Sequence, residues 1–277
     1  MTPDEYCQQK ALQSGSSFYY SFLFLPPARR RAITALYAFC REVDDAVDEP
    51  SDASVAGARL AWWRQEISRL YAGTPQHPVA RALAPAIGSF GLPRAGFDEI
   101  MDGMEMDLNQ TRYADFTALR QYCHLVAGVV GALAARIFGF RNARTIEYAE
   151  GLGLAFQLTN IIRDVGEDAR KNRIYLPMDE LRQFDVTADD IFHARQTEGF
   201  ARLMAFQTER ARSLYNAALS LLPPEDRRAQ RPGLVMAAIY RALLDEIARD
   251  GYRVLRQRTA LTPIRKLWIA WRTWVTA

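Results

Sequence analysis

The sequence predicts an all-α fold, a helical bundle around a central cavity. Apolar residues recur at helical spacing through almost the whole chain. Prolines fall between the periodic runs, at Pro26-Pro27, Pro50, Pro75, Pro93, Pro223-Pro224, Pro232 and Pro263, where they start or stop helices. Alternating β-rich runs bounded by turns are absent. No solenoid repeat and no Gly/Ser linker divides the chain, so residues 1–277 read as a single all-α domain. At 277 residues and 49% hydrophobic, the chain is long enough to bury a large core. Its net charge of +3 demands no nucleic-acid partner.

Helices are expected over 28–48, 52–72, 78–90, 94–108, 116–139, 142–167, 198–221, 233–257 and 263–275. Before the first lies Ser14-Gly-Ser-Ser-Phe18, small and polar ahead of a Phe/Tyr/Leu run. On its residues alone it reads as an N-cap with a hydrophobic staple. Helix 28–48 is apolar until Tyr37-Ala-Phe-Cys-Arg-Glu-Val-Asp-Asp-Ala-Val-Asp48. Advancing about 100° per residue, Tyr37, Arg41, Asp44, Asp45 and Asp48 share an arc of roughly 100°.

In helix 52–72 the stretch Trp62-Trp63-Arg64-Gln65-Glu66 reads as core and surface packing. Helix 94–108 carries Glu99, Asp102, Glu105 and Asp107, which lack the i, i+4 pattern with amides and read as mostly solvated, with a contribution of some of them near a cavity mouth left open. Helix 116–139 combines Val126, Val129, Val130 and Leu133 with Gly128 and Gly131. Such small residues let helices approach or leave room for a ligand.

Helix 142–167 leads into Gln157-Leu-Thr-Asn-Ile-Ile-Arg-Asp-Val-Gly-Glu-Asp168. Gln157, Asn160, Asp164 and Asp168 fall within roughly 80° on a wheel. Unpartnered polar groups on an apolar helix cost about 1–3 kcal/mol each to bury, so this stripe needs a partner. Oxygen ligands at i, i+4 suit a hard divalent cation. Two acidic stripes facing across a bundle repel unless cations lie between them. Mg²⁺ takes one or two carboxylates and completes its shell with substrate phosphates. The pattern therefore suggests a site for a diphosphate with a hydrophobic tail. Arg163, Lys171, Arg173 and Tyr175 surround the second stripe. Arg163 lies off the acidic arc, so Arg173 and then Lys171 are the expected phosphate cations.

These residues resemble the squalene/phytoene synthases, the head-to-head prenyltransferases. The resemblance rests on Tyr37–Asp48, on Tyr122-Cys-His-Leu-Val-Ala-Gly-Val-Val-Gly131, and on Gln157–Asp168 followed by Asn172-Arg-Ile-Tyr-Leu-Pro177. It runs from about Tyr6 to about Tyr252. Ser16-Ser-Phe-Tyr-Tyr-Ser-Phe-Leu-Phe-Leu-Pro26 looks most like the bacterial presqualene diphosphate synthases of hopanoid pathways.

The resemblance implies an isoprenoid-synthase-type bundle. It implies metal ligands Asp44, Asp48, Asn160, Asp164 and Asp168 holding more than one Mg²⁺. Substrate contacts would come from Ser17, Phe18, Tyr37, Arg41, Gln157, Asn160, Lys171, Arg173 and Tyr240. Tyr122 would stand near the departing diphosphate, and Tyr122, Arg41, Asp44, Asp48, Asp164 and Asp168 would carry catalysis. A late arginine contacts phosphate in such proteins; Arg256 and Arg258 both fit loosely, and neither is assigned. Phe22, Phe24, Phe39, Phe156 and Tyr240 are candidates to face a carbocation.

The implied reaction ionises one prenyl diphosphate to an allylic cation. The double bond of a second attacks it, and proton loss closes a cyclopropane. Two farnesyl diphosphates giving presqualene diphosphate is the leading reading, and phytoene synthesis from geranylgeranyl diphosphate the alternative. One-step squalene synthesis would add NADPH, which is not expected. No G-x-G-x-x-G occurs, although the family binds that cofactor without one. An inactive homologue acting in protein assembly is opposed by the intact acids.

Cys7, Cys40 and Cys123 are too scattered for disulfides or zinc and suit a reducing cytoplasm. His77, His124 and His193 show no ligand spacing and read as structural. No run of membrane-span length and no signal peptide at Met1-Thr-Pro-Asp-Glu is expected. Substrate prenyl diphosphates and downstream isoprenoid enzymes are the expected partners. In the tail 263–275, Ile264, Leu267, Trp268, Trp271, Trp274 and Val275 fall within roughly 120° on a wheel. Arg265, Lys266 and Arg272 lie outside that arc. The stripe fits either a peripheral helix on an anionic leaflet or packing on the bundle.

Overall fold

The computed structural model describes residues 1–13, 18–48 and 52–277, and of Tyr19 the backbone alone. The described residues form helices α1 (Pro3–Gln13), α2 (Phe18–Phe22), α3 (Pro27–Asp48), α4 (Ala53–Tyr71), α5 (Pro78–Phe90) and α6 (Arg94–Asn109). Next come α7 (Phe116–Cys123), α8 (Val129–Phe138), α9 (Arg144–Arg170), α10 (Met178–Gln183), α11 (Ala188–Phe192), α12 (Glu198–Leu221), α13 (Arg231–Arg249) and α14 (Pro263–Thr276). A π turn, His124–Gly128, joins α7 to α8 without a break. Among the described residues the only bridge is an isolated one, Arg112 with Ile174, so the all-α expectation holds.

Local chemistry sets most helix ends. The Asp52, Asp115, Thr197 and Thr262 side chains each accept a backbone N–H in the first turn of the helix they precede. His77 caps α5 through Nδ1, in keeping with a structural role. One expected boundary fails. The run 233–257 stops at Arg249, because Gly251 and Tyr252 both take the left-handed conformation, with φ of 70° and 57°. That turn throws residues 253–262 back across the end of α9. Helices α1, α2, α10 and α11 were not expected; each is short or carries too weak a period.

The apolar side chains form two clusters. One joins α1, α3–α6 and α8; the other joins α7, α9, α12 and α13. Phe18, Val126 and Trp274 pack against both. At the seam, α9 nearly touches the π turn and α8: a Cβ on Gly153 would lie 2.2 Å from Ala127 O, and one on Gly131 2.3 Å from Ala149 O. Both helices can approach only because these residues are glycine. Contrary to expectation, the continuous helix Phe116–Phe138 is long and apolar enough to cross a membrane by length and composition. Here it is an inner wall of the bundle, with Leu119, Cys123, Val129, Leu133 and Ile137 buried.

Candidate active site

A cavity of about 600 Å³ lies along the seam. Tyr37, Arg41 and Asp44 reach it from α3, Gln157, Asn160 and Arg163 from α9, Tyr122 from α7, Tyr240 from α13 and Phe18 from α2. The two stripes therefore do meet across one space. Asp48, Asp164, Asp168, Lys171 and Arg173 do not line it themselves; Asp48 lies beside Asp44, Asp164 is held by the lining residues Arg163 and Arg258, and Asp168 lies beside Asp164. Lys171 Nζ and Arg173 Nη1 donate to Asp48 at 2.7 and 2.6 Å, tying the end of α3 to the end of α9. Arg41 donates to Asp44 at 2.5 Å and to Asp45 at 2.7 Å. Arg163 and Arg258 both donate to Asp164 Oδ1, at 2.7 and 2.9 Å.

Burial raises the proton affinity of every acid here, and the cations decide which acids escape. Asp48 is lifted by burial, but Lys171 and Arg173 outweigh that and hold it below the usual range. Asp164 is likewise lifted by burial and pulled below its ordinary value by Arg163 and Arg258. Burial drives Asp44 to about 6; Arg41 opposes this and the Asp48 charge adds to it. Asp168 rises to about 8, through burial and then the charges of Asp164 and Asp107. A site that raises some carboxylates while pairing others is short of positive charge.

Sequence reasoning missed part of the site. Asp107, from a cluster expected to be mostly solvated, is buried. It accepts from the Tyr175 hydroxyl and pairs with Arg173 at 3.2 Å. Tyr113, Tyr122 and Tyr175 stack around it, with ring centroids 5.4–5.8 Å apart. Arg163 is not off the site: it lines the cavity beside Tyr240. Wheel position misled because a long guanidinium reaches around the helix. Of the two late arginines, Arg258 lines the cavity and Arg256 donates to Ala194 O elsewhere; the left-handed turn at 251–252 decides this, and no local pattern announces it. Lys266 of α14 also lines the cavity.

Two expected cavity aromatics are elsewhere. Phe39 is fully buried against Trp63 and Phe97, and Phe24 packs on Trp274 at the surface. Phe22, Phe156 and Tyr240 do line the cavity. Phe18 contacts Tyr37, Phe156 and Tyr240, with centroids 5.6, 6.4 and 6.1 Å away. Ser17 lies outside the described residues.

The acids are not gathered into one cluster: no group of three or more His, Cys, Asp or Glu among the described residues stands ready to hold a metal ion. The donor chemistry nonetheless fits hard cations. Asn160 Oδ1 is buried without a partner, and Asp44 and Asp168 are pushed toward the protonated form by burial and by neighbouring acids. Divalent cations at the mouth would relieve both.

A helical bundle with a charged mouth over an apolar cavity defines a class: an enzyme for an anionic headgroup on a hydrocarbon tail. The sequence profile of the squalene/phytoene synthase family matches residues 11–265, and the chain belongs to that family. A phytoene synthase of Arthrospira platensis is 37% identical over 279 residues, covering 95% of this chain and 89% of that protein. The squalene synthase HpnC from Alicyclobacillus acidocaldarius superimposes with a TM-score of 0.78 at 32% identity, covering 90% and 94% of the two chains. A dehydrosqualene synthase solved with a ligand gives a TM-score of 0.87 at 28% identity, covering 98% and 95%. The protein is therefore a prenyltransferase that condenses prenyl diphosphates head to head. Its family generally uses divalent metal to bind them.

Proposed function

We propose that the protein joins two farnesyl diphosphates into presqualene diphosphate, releasing diphosphate, as a step toward squalene or hopanoids. The observation that carries the reading is the pairing of two acid stripes with exchangeable cations beside a largely apolar cavity. Asp44, Asp48, Asn160, Asp164 and Asp168 would hold Mg²⁺, more than one ion. When bound, the metal supplies charge neutralisation at the diphosphate as its carbon–oxygen bond breaks.

The protein's own residues do the rest. Arg41, Lys171, Arg173 and Arg258 turn from their carboxylates to the phosphate oxygens, joined by Arg163 and Lys266. Tyr37, Gln157 and Asn160 orient the headgroups. Tyr122, buried beside Tyr175 and Asp107, donates its hydroxyl proton as a hydrogen bond to the departing oxygen. The faces of Phe18, Phe156 and Tyr240 shield the allylic cation, and a dry cavity strengthens every such contact. No electron is transferred in closing the cyclopropane, so no NADPH is required.

One observation favours a second reading, phytoene synthesis from geranylgeranyl diphosphate: the Arthrospira platensis and Synechococcus elongatus relatives, 37% and 36% identical, are phytoene synthases. Incubation with Mg²⁺ and each diphosphate, without NADPH, followed by mass spectrometry separates the two. Presqualene diphosphate from the C15 substrate is expected. A C40 hydrocarbon formed only from the C20 substrate would replace the first reading by the second.

We further propose that the protein works at the cytoplasmic face of a membrane, resting there on α14. Ile264, Leu267, Trp268, Trp271 and Val275 of that helix are all exposed, and the substrates are lipids. Co-sedimentation with anionic vesicles measures this.

A further inference from the structure

The cavity has a floor as well as a mouth, and Tyr148, Gln230 and Gly233 form part of it. Tyr148 lines the deep end, on the same helix as Gln157 and Asn160 but toward the start of α9. It is 1% exposed, and its hydroxyl has no hydrogen-bond partner. Its tip rests on α13, where a Cβ on Gly233 would lie 2.8 Å from Tyr148 Oη. Gln230, the next floor residue, is fixed by donating to Ala135 O and Gly139 O. A phenol left unpaired in an apolar pocket gains nothing from its hydroxyl. What the residue contributes at this position is length.

We infer that Tyr148, braced on Gly233, is the ruler that limits the hydrocarbon tail the cavity accepts. The inference rests on the prenyl-condensing activity and on the C15 reading above. The spacing supports it. Gln157 and Tyr148 are nine residues apart, about 13–14 Å along α9 at a rise of ~1.5 Å per residue. A fully extended chain advances ~3.3–3.6 Å per three bonds, so the eleven carbon–carbon bonds along a farnesyl tail span about 13 Å and the fifteen along a geranylgeranyl tail about 17–18 Å. From the amides that hold the headgroup to the phenol, the space matches the shorter tail and is one isoprene unit too short for the longer.

The test is a graded series, Tyr148→Phe, Tyr148→Leu and Tyr148→Ala, assayed with farnesyl and geranylgeranyl diphosphates in Mg²⁺, with folding followed by circular dichroism. The quantity read is the ratio of kcat/KM for the C20 substrate to that for the C15 substrate. The Phe variant keeps the C15 preference, within about twofold of the wild-type ratio. The ratio climbs through Leu to Ala, by at least tenfold at Ala, and C40 product appears. If the Ala variant does not fold, the Leu variant gives the answer. A ratio that stays flat across every folded variant overturns the ruler. Failure of the C15 reading is distinguishable: wild-type protein would then use the C20 substrate, and the ruler requires the same series to admit a C25 substrate that wild type refuses.

Discussion

At the mouth of the cavity Asp48 is shared between Lys171 and Arg173, and Asp164 between Arg163 and Arg258. At the floor the Tyr148 hydroxyl faces nothing that can receive its proton. The mouth is a set of charges with interchangeable partners, so a ligand can enter by substitution. The floor is a set of surfaces in contact, so a ligand fits only the space that packing leaves. Changes at the mouth should therefore alter turnover with the fold intact. Changes at the floor should alter which substrate is used.

The largest effect expected of this contrast is at the acids. Asp48→Asn or Asp164→Asn should lower turnover at least ~10³-fold, about 4 kcal/mol of transition-state stabilisation. The helical circular dichroism signal should stay unchanged. Near-normal activity of either variant at ordinary Mg²⁺ would remove these residues from the metal and diphosphate site.

A smaller effect separates the two late arginines. Arg258→Gln should lower kcat/KM by about 10–100-fold, less than the ~10²–10³-fold lost with an oxyanion-hole donor, because other cations share the phosphate. Arg256→Gln, whose guanidinium reaches a backbone oxygen of a distant loop, should stay within about twofold. Equal effects would mean that the contact of Arg258 with Asp164 says nothing about phosphate.

What the sequence made legible follows the same division. The acid stripes could be read because a helix face is a local property: Asp44 and Asp48, or Asn160 and Asp164, need only the 3.6-residue period to be placed together. The long helical runs were visible for the same reason. Asp107 could not be picked out of its mostly solvated cluster because its burial depends on Tyr175 and Arg173, 68 and 66 residues away in sequence (175 − 107 and 173 − 107). Arg258 could not be told from Arg256 because the reversal at Gly251-Tyr252 erases the register of the preceding helix. Tyr148 carried no signal at all, since a tyrosine in an apolar run looks like any other core residue until its tip is seen against Gly233.

The smallest and last effect concerns α14, which has two faces of its own to compare. Its inner face is committed: Ala270 is buried, Trp274 packs on Phe24, and Arg231 donates to Ala277 O. Two of its three basic residues also turn inward, Arg265 to Glu246 at 2.6 Å and Lys266 over the Tyr20 ring at the cavity. Only Arg272, over the Trp268 ring, is left to meet anionic lipid, a contribution of about 1 kcal/mol. On the outer face Trp268 and Trp271 are 54% and 57% exposed. Burying about half of a ~200 Å² indole at 25 cal/mol per Å² gives roughly 2.5 kcal/mol for each. Binding to a bilayer should then be dominated by the tryptophans and depend less on salt than on them. Trp268→Ser with Trp271→Ser should lower co-sedimentation with anionic vesicles at least tenfold, more than a rise in salt does. Activity on detergent-dispersed substrate should be preserved, because neither tryptophan lines the cavity. These substitutions are cleaner than deleting 262–277, which would also strip Trp274 and Lys266 from the bundle. If the double variant sediments with vesicles as wild type does, the exposed stripe is not the membrane contact.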